Sequence, residues 1–466
     1  MTCFYISAAH KSSGKTTLGI GLARALARRG RIVQTFKKGP DYIDPIWLAA
    51  ASARPCYNLD FHLMGHEEIG AVFARRARGA DTCLIEGNKG LYDGLDLDGG
   101  NSNAALAKLL GVPVVLVLDA RGMTRGIAPL ILGYQAFDPQ IRIAGVILNR
   151  LGGRRHEAKL RAVIEHYTDV PVLGAVHEQP ALAIVERHLG LIPANESDAA
   201  QARIEDIAGA VAAQVDVGRV IEAGEGARIR FAAQQPGAAR SASVRIALAR
   251  YRAFGFYYAD DLEALSVAGA QLVPFDALAD ERLPAADGLF IGGGFPECFC
   301  AELEGNASLR ASIRRAIEGG MPAYAECGGL MYLARSLTWK GERREMVGAI
   351  PADVVMHERP VGRGYVRLAE TGASPWPGPA PVGEIAAHEF HYSSLLNLPA
   401  DTRFAYRVLR GHGADGNRDG IVVGNLLASY THLRSTACYG WAERFVAFVR
   451  AQANARGTAR RQAALG

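Results

Sequence analysis

Cys327 stands in Ala325-Glu326-Cys327-Gly328-Gly329-Leu330, between the apolar run Met321-Pro322-Ala323-Tyr324-Ala325 and a second apolar run over residues 328–337. The first run reads as a short buried strand and the second as a helix, so the sulfur falls in a sharp strand-to-helix turn, a nucleophile elbow. Such a turn holds the thiol clear of the sheet at the positive end of the helix, where thiolate is favoured. Only the thiolate attacks carbonyls well. A cysteine taken at random is more often simple packing, so the reading depends on partners. Gly292, Gly293 and Gly294 close a strand-like run and could bring bare N–H groups to a substrate carbonyl as part of an oxyanion hole, together with Gly328 beside the sulfur. The run Asn425-Leu426-Leu427-Ala428-Ser429-Tyr430-Thr431-His432 ends in the candidate base, His432. His388 and His391, in Ala387-His388-Glu389-Phe390-His391-Tyr392-Ser393, compete for that role, although their dense polar-aromatic spacing suits a ligand-binding strand or loop better.

A second chemistry lies at the other end of the chain. Ala8-Ala9-His10-Lys11-Ser12-Ser13-Gly14-Lys15-Thr16-Thr17 follows the first strand-like run and precedes a helical pattern. A phosphate-binding loop needs converging backbone N–H groups, a lysine for the outer phosphates and a hydroxyl for magnesium. Ser13, Gly14, Lys15, Thr16 and Thr17 supply these, with Ala9 where the first glycine usually stands. Acids follow at strand ends: Asp41 and Asp44 in Phe36-Lys37-Lys38-Gly39-Pro40-Asp41-Tyr42-Ile43-Asp44-Pro45, then Glu86 and Asp93 in Glu86-Gly87-Asn88-Lys89-Gly90-Leu91-Tyr92-Asp93-Gly94. Mg²⁺ prefers carboxylate, phosphate and water oxygens, and ligands of an open parallel sheet gather at the carboxyl ends of its strands. We therefore expect Thr16, Asp41, Asp44 and Glu86 to hold the metal. Asp119 also ends a strand and could equally cap a helix.

The elements that must position these groups follow from periodicity. Residues 4–6, 32–36, 83–85, 112–118 and 143–148 read as strands, and 16–29, 103–110 and 127–137 as helices. That alternation predicts a parallel sheet with helices on both faces over residues 1–222. Residues 223–243 lose periodicity and read as a linker. A second α/β pattern covers 244–450, and 451–466 reads as a flexible tail. With 466 residues, 49% of them hydrophobic, the chain can build two or three cores. A net charge of +5 without basic runs interleaved with aromatics gives no case for nucleic acid. Seven cysteines without a paired framework fit a reducing cytoplasm, and no leader or membrane span is expected.

Taken together these motifs resemble the cobyrinic acid a,c-diamide synthase family, ATP-dependent, glutamine-using amidases of tetrapyrrole carboxylates. The resemblance runs through GKTT (14–17), FKKGPDYIDP (36–45), EGNKGLYDG (86–94), VLVLDARGM (115–123), GGGFPE (292–297), AYAECGGLMYL (323–333), HEFHYS (388–393) and ASYTH (428–432). GPDYIDP and HEFHYS are highly specific; GKTT alone is not. GPDYIDP also differs from the matching region of cobyric acid synthases, which favours the two-acetate amidases. The resemblance implies a dethiobiotin-synthetase-like domain binding ATP and Mg²⁺, joined to a class I glutamine amidotransferase domain. It implies Cys327 as glutaminase nucleophile, His432 as its base, and L-glutamine and a tetrapyrrole as partners, with a homodimer left open. Lys37, Tyr42, Asp93, His388, His391 and Tyr392 are assigned to substrate. Many triad amidotransferases carry a glutamate two positions after the histidine; here Arg434 stands there, and nothing in the sequence names what orients His432. Because His10-Lys11-Ser12-Ser13, Asn88-Lys89 and residues 433–438 depart from the corrinoid pattern, a siroheme amidase is the alternative substrate reading, with nickel-sirohydrochlorin amidation behind it. An alternative of another class is a partitioning or scaffold ATPase with an inactive second domain.

Overall fold

Runs of apolar residues without alternation make strands covered on both faces, and such runs dominate both halves of this chain. The computed structural model describes residues 1–465 except 183–185, 188–189, 197–198, 228–230, 233–240 and 379–382. It divides into two compact units, Met1–Gln235 and Pro236–Gly466. The division falls within the segment expected as a linker. Part of that segment, residues 228–230 and 233–240, lies outside the described residues. Among the described residues no helix is long and apolar enough to cross a membrane.

The first unit is built on a seven-stranded sheet in the order Tyr57–Leu59, Val33–Lys38, Thr82–Glu86, Thr2–Ala8, Val114–Asp119, Ile143–Leu151, Val172–His177. Every pairing is parallel. The edge strands Tyr57–Leu59 and Val172–His177 extend the set read from the sequence. Thr2–Ala8 is buried at each position and delivers the chain straight into the loop before the helix Lys15–Arg28. All the strands run the same way, so the ends of Thr2–Ala8, Val33–Lys38 and Thr82–Glu86 sit side by side, which brings Thr16, Lys37 and Glu86 together.

The second unit holds a nine-stranded mixed sheet: Ala270–Asp276, Val244–Arg250, Gly288–Ile291, Ala323–Glu326, Leu426–Ser429, Arg418–Val423, Arg403–Arg410, Gly362–Glu370, Ile385–His391. The first five strands are parallel and the rest antiparallel. Ala323–Glu326 and Leu426–Ser429 are neighbours, with Ala325 opposite Ala428 and Glu326 opposite Ser429. Cys327 and His432 therefore leave adjacent strand ends a few residues on. The elbow helix is shorter than expected, Gly328–Leu333 rather than 328–337. Ala334 turns extended, at φ −66° and ψ 174°. Ser336–Trp339 then pairs as a strand with Asp353–Met356 and Glu342–Glu345. The C-terminal helix, Trp441–Leu465, runs through the residues expected as a flexible tail. Its first half is anchored, since Trp441, Phe445, Val446 and Val449 are fully buried.

Candidate functional site

Cys327 sits at φ 46°, ψ −104°, between the strand Ala323–Glu326 and the helix Gly328–Leu333. A positive φ at a residue bearing a Cβ is strained. Here it is fixed from both sides, because the Cys327 N–H donates to Ser429 O at 2.7 Å and its carbonyl accepts from Met331 N–H at 3.0 Å. Cys327 is the residue from which the helix Gly328–Leu333 starts, the end at which a helix leaves its first N–H groups without intrahelical acceptors. Cys327 is 7% exposed, and its sulfur lies 4.0 Å from Phe390 O.

His432 is buried beside Cys327 and Glu326, the two neighbours that favour its charged form. Its Nδ1 lies 3.4 Å from Glu326 Oε2. Burial of the ring works against a charge, but the contacts with Cys327 and Glu326 outweigh it and carry the pKa up to about 10. The backbone around His432 is held twice. His432 and His388 exchange N–H to O bonds of 2.7 and 3.2 Å, and the buried Asp419 accepts from Tyr430 N–H at 3.1 Å and Thr431 N–H at 2.9 Å.

The three-glycine turn differs in detail from the expectation. Gly292 N–H donates to the Tyr257 hydroxyl at 2.9 Å, which removes it from the oxyanion hole. Gly293–Gly294 form a short ladder with Phe254–Phe256, and the His432 ring rests on Gly293, where an added Cβ would come 2.6 Å from Cε1. Gly328 packs on Gly294, its own N–H in the unpaired first turn of the elbow helix. Along Ile385–His391 burial alternates, so Glu389 and His391 face inward. His391 is 2% exposed, stacks on Tyr430 at 4.0 Å and meets Ser393 O through Nδ1 at 2.9 Å. Glu389 accepts from His412 N–H at 2.7 Å and Gly413 N–H at 2.8 Å. His391, assigned to substrate, is thus core packing beneath the site. His388 and Tyr392 are half-buried.

In the first unit Gly14 has φ 89°, and a Cβ there would collide with Asn149 Nδ2 at 2.2 Å; only glycine fits. Asn149 donates to Ser13 O at 2.8 Å, and Arg150 to Ser12 O at 2.7 Å, so the strand Ile143–Leu151 braces the loop. Ser13 is turned inward, its hydroxyl donating to His10 O at 2.8 Å. The Thr16 hydroxyl donates to Glu86 Oε1 at 2.7 Å and reaches Asp44 Oδ2 at 3.2 Å. Beside the loop lies a cavity of about 180 Å³ lined by Gly14, Thr17, Asn149, Arg150, His177 and Gln179.

Lys37 lies among these acids rather than facing a ligand. Its ammonium is 2.5 Å from Asp44 Oδ2, 2.8 Å from Glu86 Oε1 and 3.8 Å from Asp41 Oδ2, with the side chain 3% exposed. Burial opposes its charge, but Asp44, Glu86 and Asp41 lift its pKa well above the usual lysine value. Burial and Lys37 together bring Lys15 down to about 8, and burial with Asp44 pushes Asp41 up to about 7. Asp41 Oδ1 accepts from Ile43 N–H at 2.9 Å and Asp44 N–H at 3.0 Å, so it caps the helix Ile43–Ser52 instead of standing free for a metal. Tyr42 is half-buried at the entrance to that helix. Asp93 is exposed and closes a turn by accepting from Gly90 N–H at 2.8 Å. Among the described residues no three acidic, histidine or cysteine side chains form a ready metal cage. The hydroxyl and carboxylate oxygens of Thr16, Asp44 and Glu86, gathered round one ammonium, are nonetheless the hard donors that suit Mg²⁺.

Residues 6–192 match the CobQ/CobB/MinD/ParA nucleotide binding domain, and residues 245–437 the CobB/CobQ-like glutamine amidotransferase domain. The cobyrinate a,c-diamide synthase of Magnetococcus marinus is 46% identical over 446 residues, covering 94% of this chain and 95% of that protein. The cobyrinate a,c-diamide synthase of Methanosarcina acetivorans is 42% identical over 464 residues, covering 93% and 92%. The chain belongs to the cobyrinate a,c-diamide synthase family. It is a glutamine-dependent, amide-forming ligase with a nucleotide-binding unit and an amidotransferase unit.

Within this family member the Arg434 departure has a structural explanation. Arg434 is buried and bonded to Asp260 at 2.5 Å, with its guanidinium over the Tyr258 ring at 4.9 Å. Its pair is made with Asp260, not with the histidine. The sequence reading missed Glu326, Asp419, Asn149 and Arg150. Asn149 and Arg150 had a usable signal, as polar residues at the end of an apolar strand. Glu326 and Asp419 carry meaning only once strand neighbours are known.

Proposed function

We propose that the chain is a cobyrinate a,c-diamide synthase, converting two acetate carboxylates of a corrin-type tetrapyrrole to carboxamides with ammonia from L-glutamine and ATP as the activating nucleotide. The observation that carries the proposal is Cys327 locked at φ 46° at a helix N-terminus with the buried His432 close enough beside it to be held charged. The names of the relatives support the substrate. The Cys327 thiolate attacks the glutamine carboxamide carbon, and the Gly328 N–H beside the Gly293–Gly294 turn faces the developing oxyanion. His432 gives its proton to the departing ammonia, and water then cleaves the thioester to glutamate. In the nucleotide unit, Lys15 and the backbone N–H groups of residues 13–17 hold the outer phosphates. The base and ribose take the cavity beside Asn149. Thr16, Asp44 and Glu86 would hold Mg²⁺, which when bound offsets phosphate charge. The γ-phosphoryl group passes to the substrate carboxylate, ADP leaves, and ammonia displaces phosphate from the acyl phosphate.

The test is product mass after incubating the purified chain with glutamine, ATP and, in separate reactions, cobyrinic acid, hydrogenobyrinic acid and siroheme. Two acid-to-amide mass shifts on a corrinoid are expected, lost in Cys327→Ala with glutamine and restored by ammonium. Conversion of siroheme alone would overturn the corrinoid reading. Absence of any amide, with glutamine untouched, would overturn the enzyme reading in favour of a scaffold ATPase.

A further inference from the structure

We infer that Glu326, the residue immediately before the nucleophile, is the positioning carboxylate for His432, filling the role left open by Arg434. This rests on the reading of Cys327 as the glutaminase nucleophile. Glu326 ends the strand Ala323–Glu326 directly opposite Ser429 on the neighbouring strand, so its side chain stands beside the segment that carries His432. Both side chains are buried, 4% exposed for Glu326 and 3% for His432. The two carboxylate oxygens have separate tasks. Oε1 accepts from the Tyr324 hydroxyl at 2.6 Å and from Leu433 N–H at 2.9 Å, which fixes the carboxylate plane and tethers the residue after the histidine. Oε2 is left facing His432 Nδ1 at 3.4 Å, long for a hydrogen bond, as such contacts often are before substrate binds.

The other nearby acids are engaged elsewhere. Asp260 holds Arg434, Asp261 accepts from Ser435 N–H at 2.7 Å, Asp419 holds Tyr430 and Thr431, and Glu389 holds the 412–413 turn. With Nδ1 facing a carboxylate, the ring keeps a proton on Nδ1 and turns Nε2 to the sulfur. The proton that leaves the Cys327 thiol rests on Nε2, and the imidazolium, charged at neutral pH, sits between thiolate and carboxylate. That proton leaves with ammonia, and Glu326 ends as it began. The carboxylate thus works through the histidine and does not touch glutamine.

The groups that face His432 set the expected pH behaviour. From the elbow these are Cys327 and Glu326, with the Tyr324 hydroxyl behind the carboxylate. From the opposite strand there is His388, paired through the backbone. Tyr257 and Asp261 lie within electrostatic reach of Glu326, and Arg434 is neutralised by Asp260. Removing the Glu326 charge therefore takes away the negative neighbour of the imidazolium, and its proton is released at lower pH. In the full-length chain, E326Q is expected to lower glutamine-driven kcat about 10²-fold or more, with the glutamine KM within a few-fold and the ammonia-driven rate unchanged. The alkaline limb of the glutaminase profile moves to lower pH, and so does the His432 titration midpoint followed by NMR on ¹³C-labelled histidine. The NMR midpoint needs no turnover, so it decides the matter even if E326Q loses both reactions. An unchanged midpoint, or wild-type glutaminase in E326Q, overturns the inference and leaves the proposed function standing. A wild-type chain without glutaminase activity overturns both.

Discussion

Replacing Gly329 by alanine tests the elbow directly. A Cβ on Gly329 would lie 2.1 Å from Ile291 O, 2.9 Å from Ile291 C and 3.0 Å from Gly292 O. Cβ atoms are essentially never found closer than 3.0 Å to such neighbours, so the shortfall is about 0.9 Å against a carbonyl. That carbonyl cannot yield, because Gly288–Ile291 is paired on one side with Val244–Arg250 and on the other with Ala323–Glu326. The helix Gly328–Leu333 must retreat instead, and it carries Cys327 with it. Overpacking of this kind costs about 1–3 kcal/mol, roughly 2–12 °C in the melting of a unit this size. A displacement near 1 Å at a reacting atom is worth roughly 10²-fold in rate. G329A should therefore lose glutamine-driven amidation by about 10²-fold while ammonia-driven amidation continues. G328A, whose nearest contact would be 2.8 Å, should lose less. G305A, at the end of the helix Cys300–Gly305 with nothing within 4 Å, should leave both rates alone. The assay is glutamate release beside amide formation from ammonium, with a thermal melt of each variant. Glutamine-driven turnover in G329A within about threefold of wild type would refute the claim that the glycine, through the close approach of helix to strand, places the sulfur.

Three further outcomes follow from charge and burial. Because His432 titrates at about 10 when folded, above its ordinary value, its contribution to stability is fully present below about pH 6.5 and is lost as pH rises through 10. The gap in urea-unfolding free energy between wild type and His432→Gln should narrow between pH 6.5 and 10, and a gap constant with pH would contradict this. Lys37→Met leaves Asp44 and Glu86 buried without their counter-ion, costing about 3–5 kcal/mol. Added Mg²⁺ should raise the melting temperature of the variant more than that of wild type, and equal shifts would argue against cation binding at Thr16, Asp44 and Glu86. Lys15→Ala should lower glutamine-driven and ammonia-driven amidation alike, by about 10²-fold or more, while glutamine hydrolysis at Cys327 continues; product analysis separates the two.

Much of the fold was open to reading from the sequence because its strands are continuous apolar runs. Thr2–Ala8 and Ile143–Leu151 contain the runs at 4–6 and 143–148 that periodicity picks out, and Val114–Asp119 takes up the run at 112–118 from its third residue. The edge strand Tyr57–Leu59 has three residues, too few to show a period. The apolar pattern running on to Leu337 predicts an elbow helix four residues longer than the one observed, Gly328–Leu333. Ser336–Trp339 instead gains cross-strand partners, and tertiary pairing overrides a weak local preference. The inward turn of His391 was in principle visible, since strict alternation from Ile385 puts Glu389 and His391 on the buried face and His388 and Phe390 on the other. A motif read as a string of polar and aromatic letters hides that two-residue period.

The glutamate beside the nucleophile shows where such reading stops. In the sequence, Glu326 differs little from any acid at a strand end, and Arg434 removes the usual place to look for a carboxylate. What gives Glu326 its meaning is register: Glu326 opposite Ser429 sets the carboxylate beside Leu433 N–H and His432 Nδ1. Register between strands about a hundred residues apart is fixed by turns and buried faces far from either residue. Lys37 carries the same lesson in the other unit. The resemblance assigns it to substrate, but the strand Val33–Lys38 is buried at each position, and an ammonium there has to find Asp44 and Glu86 or lose its charge. A side chain that already neutralises those acids is one that a metal would have to compete with, and this is why the melting response of Lys37→Met to Mg²⁺ discriminates between a metal site and a closed ion pair.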